Sequence, residues 1–222
     1  MHPYYQPLAE AYREHANAEN ATWMERYMKN QFPFFGIKTP ERTRLNREFF
    51  AKQGLPEYSE LETIVESLMH QPQREFHYFA ISLVGKMKKQ WREDTWQLLE
   101  KMILTNSWWD TVDALAARTC GEFFRLYADK KETVTGRWNR HENIWLIRSS
   151  ILFQLHYKSE TDQELLFSYI RPHLDSQEFF IQKAIGWALR QYARTNPEAV
   201  KEFVDQHEMA PLSRREALKH FK

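Results

Sequence analysis

Near the middle of this 222-residue chain stands Ser107-Trp108-Trp109-Asp110-Thr111-Val112-Asp113, with two tryptophans and two acids in seven residues. A carboxylate beside an electron-rich indole face is suited to stabilising positive charge that develops on a bound group. The spacing predicts a helix in which Trp108, Val112, Leu115 and Thr119 (i, i+4, i+7, i+11) face the core. Trp109 lies about 100° further round, and Asp113 only about 40° from Trp109. Ala116 and Ala117 follow, too small to fill the space above that face. The indole and the carboxylate therefore share a face with room between them. Ser107 is the expected N-cap and Asp110 the acid at N3, so Asp110 is explained by capping and Asp113 is not.

The elements that must position these groups all read as helices. The pattern predicts them over 5–16, 19–30, 39–54, 57–70, 73–89, 93–104, 107–127, 130–139, 143–158, 162–174, 177–195, 197–206 and 212–221. Thr39-Pro40-Glu41 marks a start with a hydroxyl cap and proline at N1. Asn196-Pro197-Glu198 marks another, and Ser213 with Glu216 reads as a capping box. No alternating strand is legible. The helices also repeat. Phe76, Trp109, Trp145 and Phe180 align at offsets of 33, 36 and 35 residues, the range of helix-pair repeats and shorter than the usual HEAT period of about 40–47. The expectation is one all-α, HEAT-like domain over 1–222, a solenoid whose second helices line a concave basic face.

In that alignment Asp113 stands where the other repeats have Ala80, Ser149 and Ala184, so one repeat carries a carboxylate at a small packing position. One position earlier come Phe79, Val112, Arg148 and Lys183, placing two cations on neighbouring repeats. Trp187 lies two turns beyond Phe180. Trp109, Asp113, Arg148 and Trp187 thus form one candidate set. On its apolar helix Arg148 calls for an anionic partner, a phosphate or a structural acid. Arg42, Arg214 and Arg215 sit in first helical turns, where backbone N–H groups favour phosphate. Taken singly, a helical Asp is most often a solvated surface residue, Trp187 most often core, and an arginine group such as Arg190 with Arg194 a solvated face.

Composition narrows the classes. Six glycines and nine prolines argue against a turn-rich β protein. With 31 basic and 30 acidic residues the net charge is +1, so a polyanion partner must be met by clustering. The single cysteine, Cys120, forms no internal disulfide and fits a reducing cytosol. No signal peptide and no apolar run of about 18 residues are legible, so a cytoplasmic monomer away from membranes is expected. The nine histidines show no ligand spacing and no Gly-rich phosphate loop occurs, so no metal and no cofactor are expected.

The motifs Ser107–Asp113, Asn143-Ile144-Trp145-Leu146-Ile147-Arg148 and Glu178–Trp187 resemble the AlkD family of alkylpurine DNA glycosylases, as do Ala210–Ala217 and Arg26–Asn30. The resemblance spans essentially the whole chain. It implies a HEAT-like solenoid that binds duplex DNA and excises N3- and N7-alkylated purines such as 3-methyladenine and 7-methylguanine, leaving an abasic site. It implies that Asp113 is the catalytic carboxylate and that Trp109 and Trp187 pack against the lesion's deoxyribose. Arg148 would contact the backbone nearby, and Tyr27 would approach the same duplex. Thr39, Arg42, Lys183, Arg190, Arg214 and Arg215 complete the expected DNA contacts. Lys38 and His156 depart from the glutamine and lysine of close relatives. Such members need no enclosing pocket for a flipped base, the usual glycosylase route. The competing expectation is a non-catalytic HEAT-like scaffold, which would not require the Trp109/Asp113/Trp187 set.

Overall fold

The computed structural model describes residues 1–221, and every regular element among them is helical. The all-α, repeat-built expectation holds. Two compact units divide the chain, Met1–Arg92 and the remainder from Glu93.

The first unit contains α1 (Gln6–Glu14), α2 (Ala18–Tyr27), α3 (Thr39–Gln53), α4 (Tyr58–Met69) and α5 (Arg74–Lys86). Asn17 caps α2 by accepting from the Asn20 N–H at 2.9 Å. Thr39 does not cap α3, contrary to the expectation. The first helical bond already runs from the Arg42 N–H to the Lys38 carbonyl at 2.9 Å, so Lys38 is the cap and Thr39 the first helical residue. The loop between α2 and α3 is pinned by Glu75, a fully buried residue of α5. Its carboxylate accepts from the N–H groups of Phe35 (3.1 Å), Gly36 (2.9 Å) and Ile37 (3.2 Å). Gly36 is at φ +84°, and a Cβ there would lie 2.1 Å from the Asn17 carbonyl oxygen, so only glycine fits. Tyr5, Tyr12, Phe76 and Phe79 fill the core of this unit. A fully buried side chain of that size contributes about 1.5–3 kcal/mol.

The second unit contains α6 (Thr95–Leu104), α7 (Trp109–Ala114), a π-helical turn (Leu115–Cys120), α8 (Gly121–Leu126), α9 (Ala128–Asn139), α10 (Ile144–Leu152), α11 (Gln163–Ile170), α12 (Phe179–Tyr192), α13 (Pro197–Gln206) and α14 (Pro211–Ala217). Within it α10 packs on α9 and α12, and α12 packs on α13 and most extensively on α14. Leu152, Ile170, Ile185, Leu189, Val200 and Val204 form its fully buried centre. The single helix expected over 107–127 is three segments, because the π turn interrupts α-helical hydrogen bonding from Leu115, two residues after Asp113. Such turns recur at functional sites. Among the described residues no helix is long and apolar enough to cross a membrane.

Candidate active site

Three helices of the second unit converge on one ion pair. Asp113 is the penultimate residue of α7, Arg148 is in the middle of α10, and Phe180 is the second residue of α12. Arg148 donates from Nε to Asp113 Oδ1 at 2.7 Å and from Nη2 to Oδ2 at 2.9 Å. Its third nitrogen, Nη1, donates to the Phe180 carbonyl oxygen at 2.5 Å. The fork-to-fork geometry fixes both planes. The anionic partner that the sequence demanded of Arg148 is Asp113, and with 5% side-chain exposure the guanidinium is nearly enclosed.

The carboxylate keeps more access, at 16% exposure. Burial pushes the Asp113 carboxyl above its ordinary value; the Arg148 hydrogen bonds and charge pull it back, and Asp110 opposes them. Both oxygens accept from the guanidinium, which is the pattern of an ionised carboxylate. The site is thus a half-sheltered negative charge held in one orientation.

The core-facing stripe of Trp108, Val112, Leu115 and Thr119 holds. Trp108, in extended conformation just before α7, joins Trp145 (centroids 5.8 Å apart) and Phe180 (5.1 Å), which are 4.9 Å from each other. Trp108, the tryptophan expected to face the core, is the ring that packs with Trp145 and Phe180. Val112 is fully buried, as are Ala80, Ser149 and Ala184, whereas Asp113 remains partly exposed. Asp113 thus stands at a position that the other repeats fill with small buried residues, and it alone there reaches solvent. Ser107 is not the N-cap either; its hydroxyl donates to the Ile103 carbonyl at 2.6 Å, leaving Trp108 in the cap position. The Trp108 indole N–H is buried without a hydrogen-bond partner among the described residues. Trp109 is half-buried, and Trp187 is half-buried against the core of this unit.

Sequence reasoning missed the role of Glu216. Its carboxylate, 9% exposed, receives Arg190 Nη1 at 2.5 Å, Lys183 Nζ at 3.1 Å and Lys219 Nζ at 3.5 Å. Lys183 and Arg190 are seven residues apart on one face of α12. Gly186 lies between them, and a Cβ there would meet the Glu216 Cβ at 2.4 Å. The Ser213–Glu216 capping box does not form, because α14 already begins at Pro211. The Ser213 hydroxyl instead donates to the Gln182 carbonyl at 3.2 Å. Three cations on one acid leave a local excess of positive charge. Arg214 reaches the Val204 carbonyl and Asp205, and Arg215 is exposed.

Burial raises the Glu216 carboxyl, but Arg190, Lys183 and Lys219 outweigh it and hold it at about 2, against 4.5 ordinarily. A depressed carboxyl contributes stability above its unfolded value and loses it as pH falls toward the folded one. Wild-type protein should therefore lose part of its stability between about pH 4.5 and 2 through this group. Glu216→Gln should be less stable near neutrality and should show a flatter acid limb. Denaturant midpoints measured from pH 6 to pH 2 check this, and parallel curves for the two proteins would refute it.

The remaining expected contacts are in the first unit. Tyr27 is 69% exposed at the end of α2 and Thr39 is exposed at the start of α3. The Arg42 guanidinium stands 4.4 Å from the centroid of the Tyr78 ring.

Comparison with known proteins bears on what such a site is for. Among curated proteins none matches. A predicted DNA alkylation repair enzyme from Enterococcus faecalis is similar in structure, with a TM-score of 0.87 and 34% identity over 92% of this chain and 96% of that one. The protein smu.31 from Streptococcus mutans UA159 has a TM-score of 0.63 over 90% of this chain and 98% of its own; at 14% identity it shares the fold. The family model described as DNA alkylation repair enzyme matches residues 8–221. The paired helices and the site they carry thus have a family: this chain belongs to the DNA alkylation repair enzyme family.

Proposed function

We propose that this protein is a monofunctional DNA glycosylase acting on cationic N3- and N7-alkylated purines in duplex DNA. The observation that carries the reading is the Asp113 carboxylate, partly exposed and oriented by the Arg148 fork. An alkylated purine bears a positive charge, so it departs as a neutral base with the electron pair of the broken C1′–N bond. Positive charge then develops on the sugar. Asp113 stabilises it and orients the water whose oxygen bonds to C1′ as its proton is released. Trp109 and Trp187 offer indole faces to the deoxyribose.

At ~4 Å and an effective dielectric of ~20 the Coulomb attraction is about 4 kcal/mol. Only the part gained on reaching the transition state accelerates the reaction, about 2–4 kcal/mol or roughly 10²–10³ in rate. Arg148 is a positioning residue here, since its guanidinium is committed to Asp113 and Phe180. Lys183, Arg190, Arg214 and Arg215, with Tyr27, Thr39 and Arg42 in the first unit, are the groups that engage phosphates. No cofactor is called for, because the lesion supplies its own leaving-group activation. The enzyme would act as a monomer in the cytosol.

A neutral lesion such as hypoxanthine departs only if an acid protonates it or a pocket stabilises the leaving anion. None of Trp109, Asp113, Arg148 and Trp187 is placed to do either. Single-turnover base release is therefore expected from duplexes carrying 3-methyladenine or 7-methylguanine, with little or none from hypoxanthine. Comparable release of hypoxanthine and 7-methylguanine would contradict the mechanism, and release of no base would overturn the glycosylase reading in favour of a binding scaffold.

A further inference from the structure

The first unit contains an aromatic cleft, part of whose lining (Tyr27, Thr39 and Arg42) also serves the phosphate contacts proposed above. Trp23 and Tyr27 are one turn apart on α2, so their rings share a face, and they are 64% and 69% exposed. Neighbouring exposed apolar rings of this size mark interaction or ligand sites. Both border an open cleft of about 290 Å³ that also takes in Phe34, Thr39, Arg42 and Tyr78. The remaining lining is two methionines, so the only charged side chain in it is a cation and no carboxylate is present. The Arg42 guanidinium stands over the Tyr78 ring, 4.4 Å from its centroid, and no acid among the described residues is within ion-pair range of it. Arg26 stands 5.7 Å over the Trp23 ring, adding a second positive charge at the rim.

From this combination we infer that the cleft binds an unstacked nucleotide of single-stranded DNA, with its base against the Trp23 and Tyr27 rings and its phosphate on Arg42. Every base has a π-face, so aromatic rings hold bases without regard to sequence, at about 1–3 kcal/mol each. A guanidinium held over a ring and free of any acid keeps N–H donors for a phosphate. An opening at the bottom of the usual range for small-molecule sites admits one planar base and excludes a folded segment. The absence of any acid in the lining favours an anionic guest over an apolar peptide. In a member of a DNA repair family the anionic, planar guest is a nucleotide of DNA. The site lies wholly in the first unit; it shares Tyr27, Thr39 and Arg42 with the phosphate contacts proposed above, and Trp23 is the residue by which its test is told apart from base excision.

The test uses the full-length protein and a fluorescein-labelled eight-residue oligo(dT) strand, with an abasic strand of the same length as its phosphate-only control. Anisotropy should show oligo(dT) bound about 5- to 150-fold more tightly than the abasic strand. Trp23→Ala should weaken oligo(dT) binding about 5- to 150-fold, the equivalent of one stacked base, and reduce it to the abasic level. Trp23→Phe should restore most of it. Because Trp23 is exposed, the melting temperature of both variants should match wild type. Equal binding of the two strands, or oligo(dT) binding indifferent to Trp23→Ala, would overturn the inference. Base release from a 7-methylguanine duplex, read on the same wild-type preparation, separates the two readings. Its loss with strand discrimination intact would sink the glycosylase proposal and leave this one standing.

Discussion

Asp113→Asn should lower single-turnover release of 7-methylguanine by about two orders of magnitude or more while leaving duplex affinity largely unchanged. The substitution keeps the shape of the side chain and removes its charge, so it deletes an interaction that strengthens only as the sugar becomes cationic. The structure adds a pH signature. Burial raises the Asp113 carboxyl, and the proposed chemistry needs its ionised form. Wild-type excision should therefore fall as pH drops through a value raised above that of an ordinary aspartate, and the residual activity of Asp113→Asn should lack that acid limb. Asp110→Asn is the control, a first-turn acid of α7 whose loss should cost a few tenths of a kcal/mol up to about 1. Excision abolished by Asp110→Asn and retained by Asp113→Asn would reverse the assignment.

The second large effect should come from Arg148→Ala. Removing one partner of an enclosed ion pair leaves the other charge uncompensated, at a cost of about 3–5 kcal/mol for fully buried pairs. Asp113 retains some solvent, so the expected loss is nearer the lower figure, about 3 kcal/mol. The Phe180 carbonyl also loses its donor, which loosens the start of α12 against α10. With the guanidinium gone, the Asp113 carboxyl should rise further, because its main lowering influence is absent. The acid limb of excision should then move to higher pH, and kcat should fall more than duplex affinity. Arg148→Lys, which keeps a charge without the fork, should recover stability better than rate. A variant that lost only DNA affinity, with kcat and the acid limb unchanged, would make Arg148 a phosphate contact and end its positioning role.

Most helices were legible because their signals are local. Apolar spacing of 3–4 residues, few glycines, and caps such as Asn196 depend only on neighbours in the chain, and α13 begins at Pro197 as expected. The departures occur where a distant group competes for the same atoms. Ser107 has the chemistry of a cap, but the Ile103 carbonyl takes its hydroxyl. Ser213 and Glu216 have capping-box spacing, but α12 supplies better partners: the Gln182 carbonyl for the hydroxyl, and Lys183 and Arg190 for the acid. The π turn after Asp113 has no marker in composition.

The candidate site divides along the same line. That a carboxylate and two indoles stand near the start of one helix, with an arginine on an apolar face elsewhere, follows from residue type and helical geometry alone. Which tryptophan joins Trp145 and Phe180, and which acid meets Arg148, depends on the approach of three helices separated by about 35 residues each in sequence. Charge pairing acts over a few ångströms, and no spacing rule reaches across such loops. The chain's own pattern therefore settled the helices and their repeat. The packing of α7, α10 and α12 settled the partner of each charge, because burial makes one bidentate geometry far better than its alternatives.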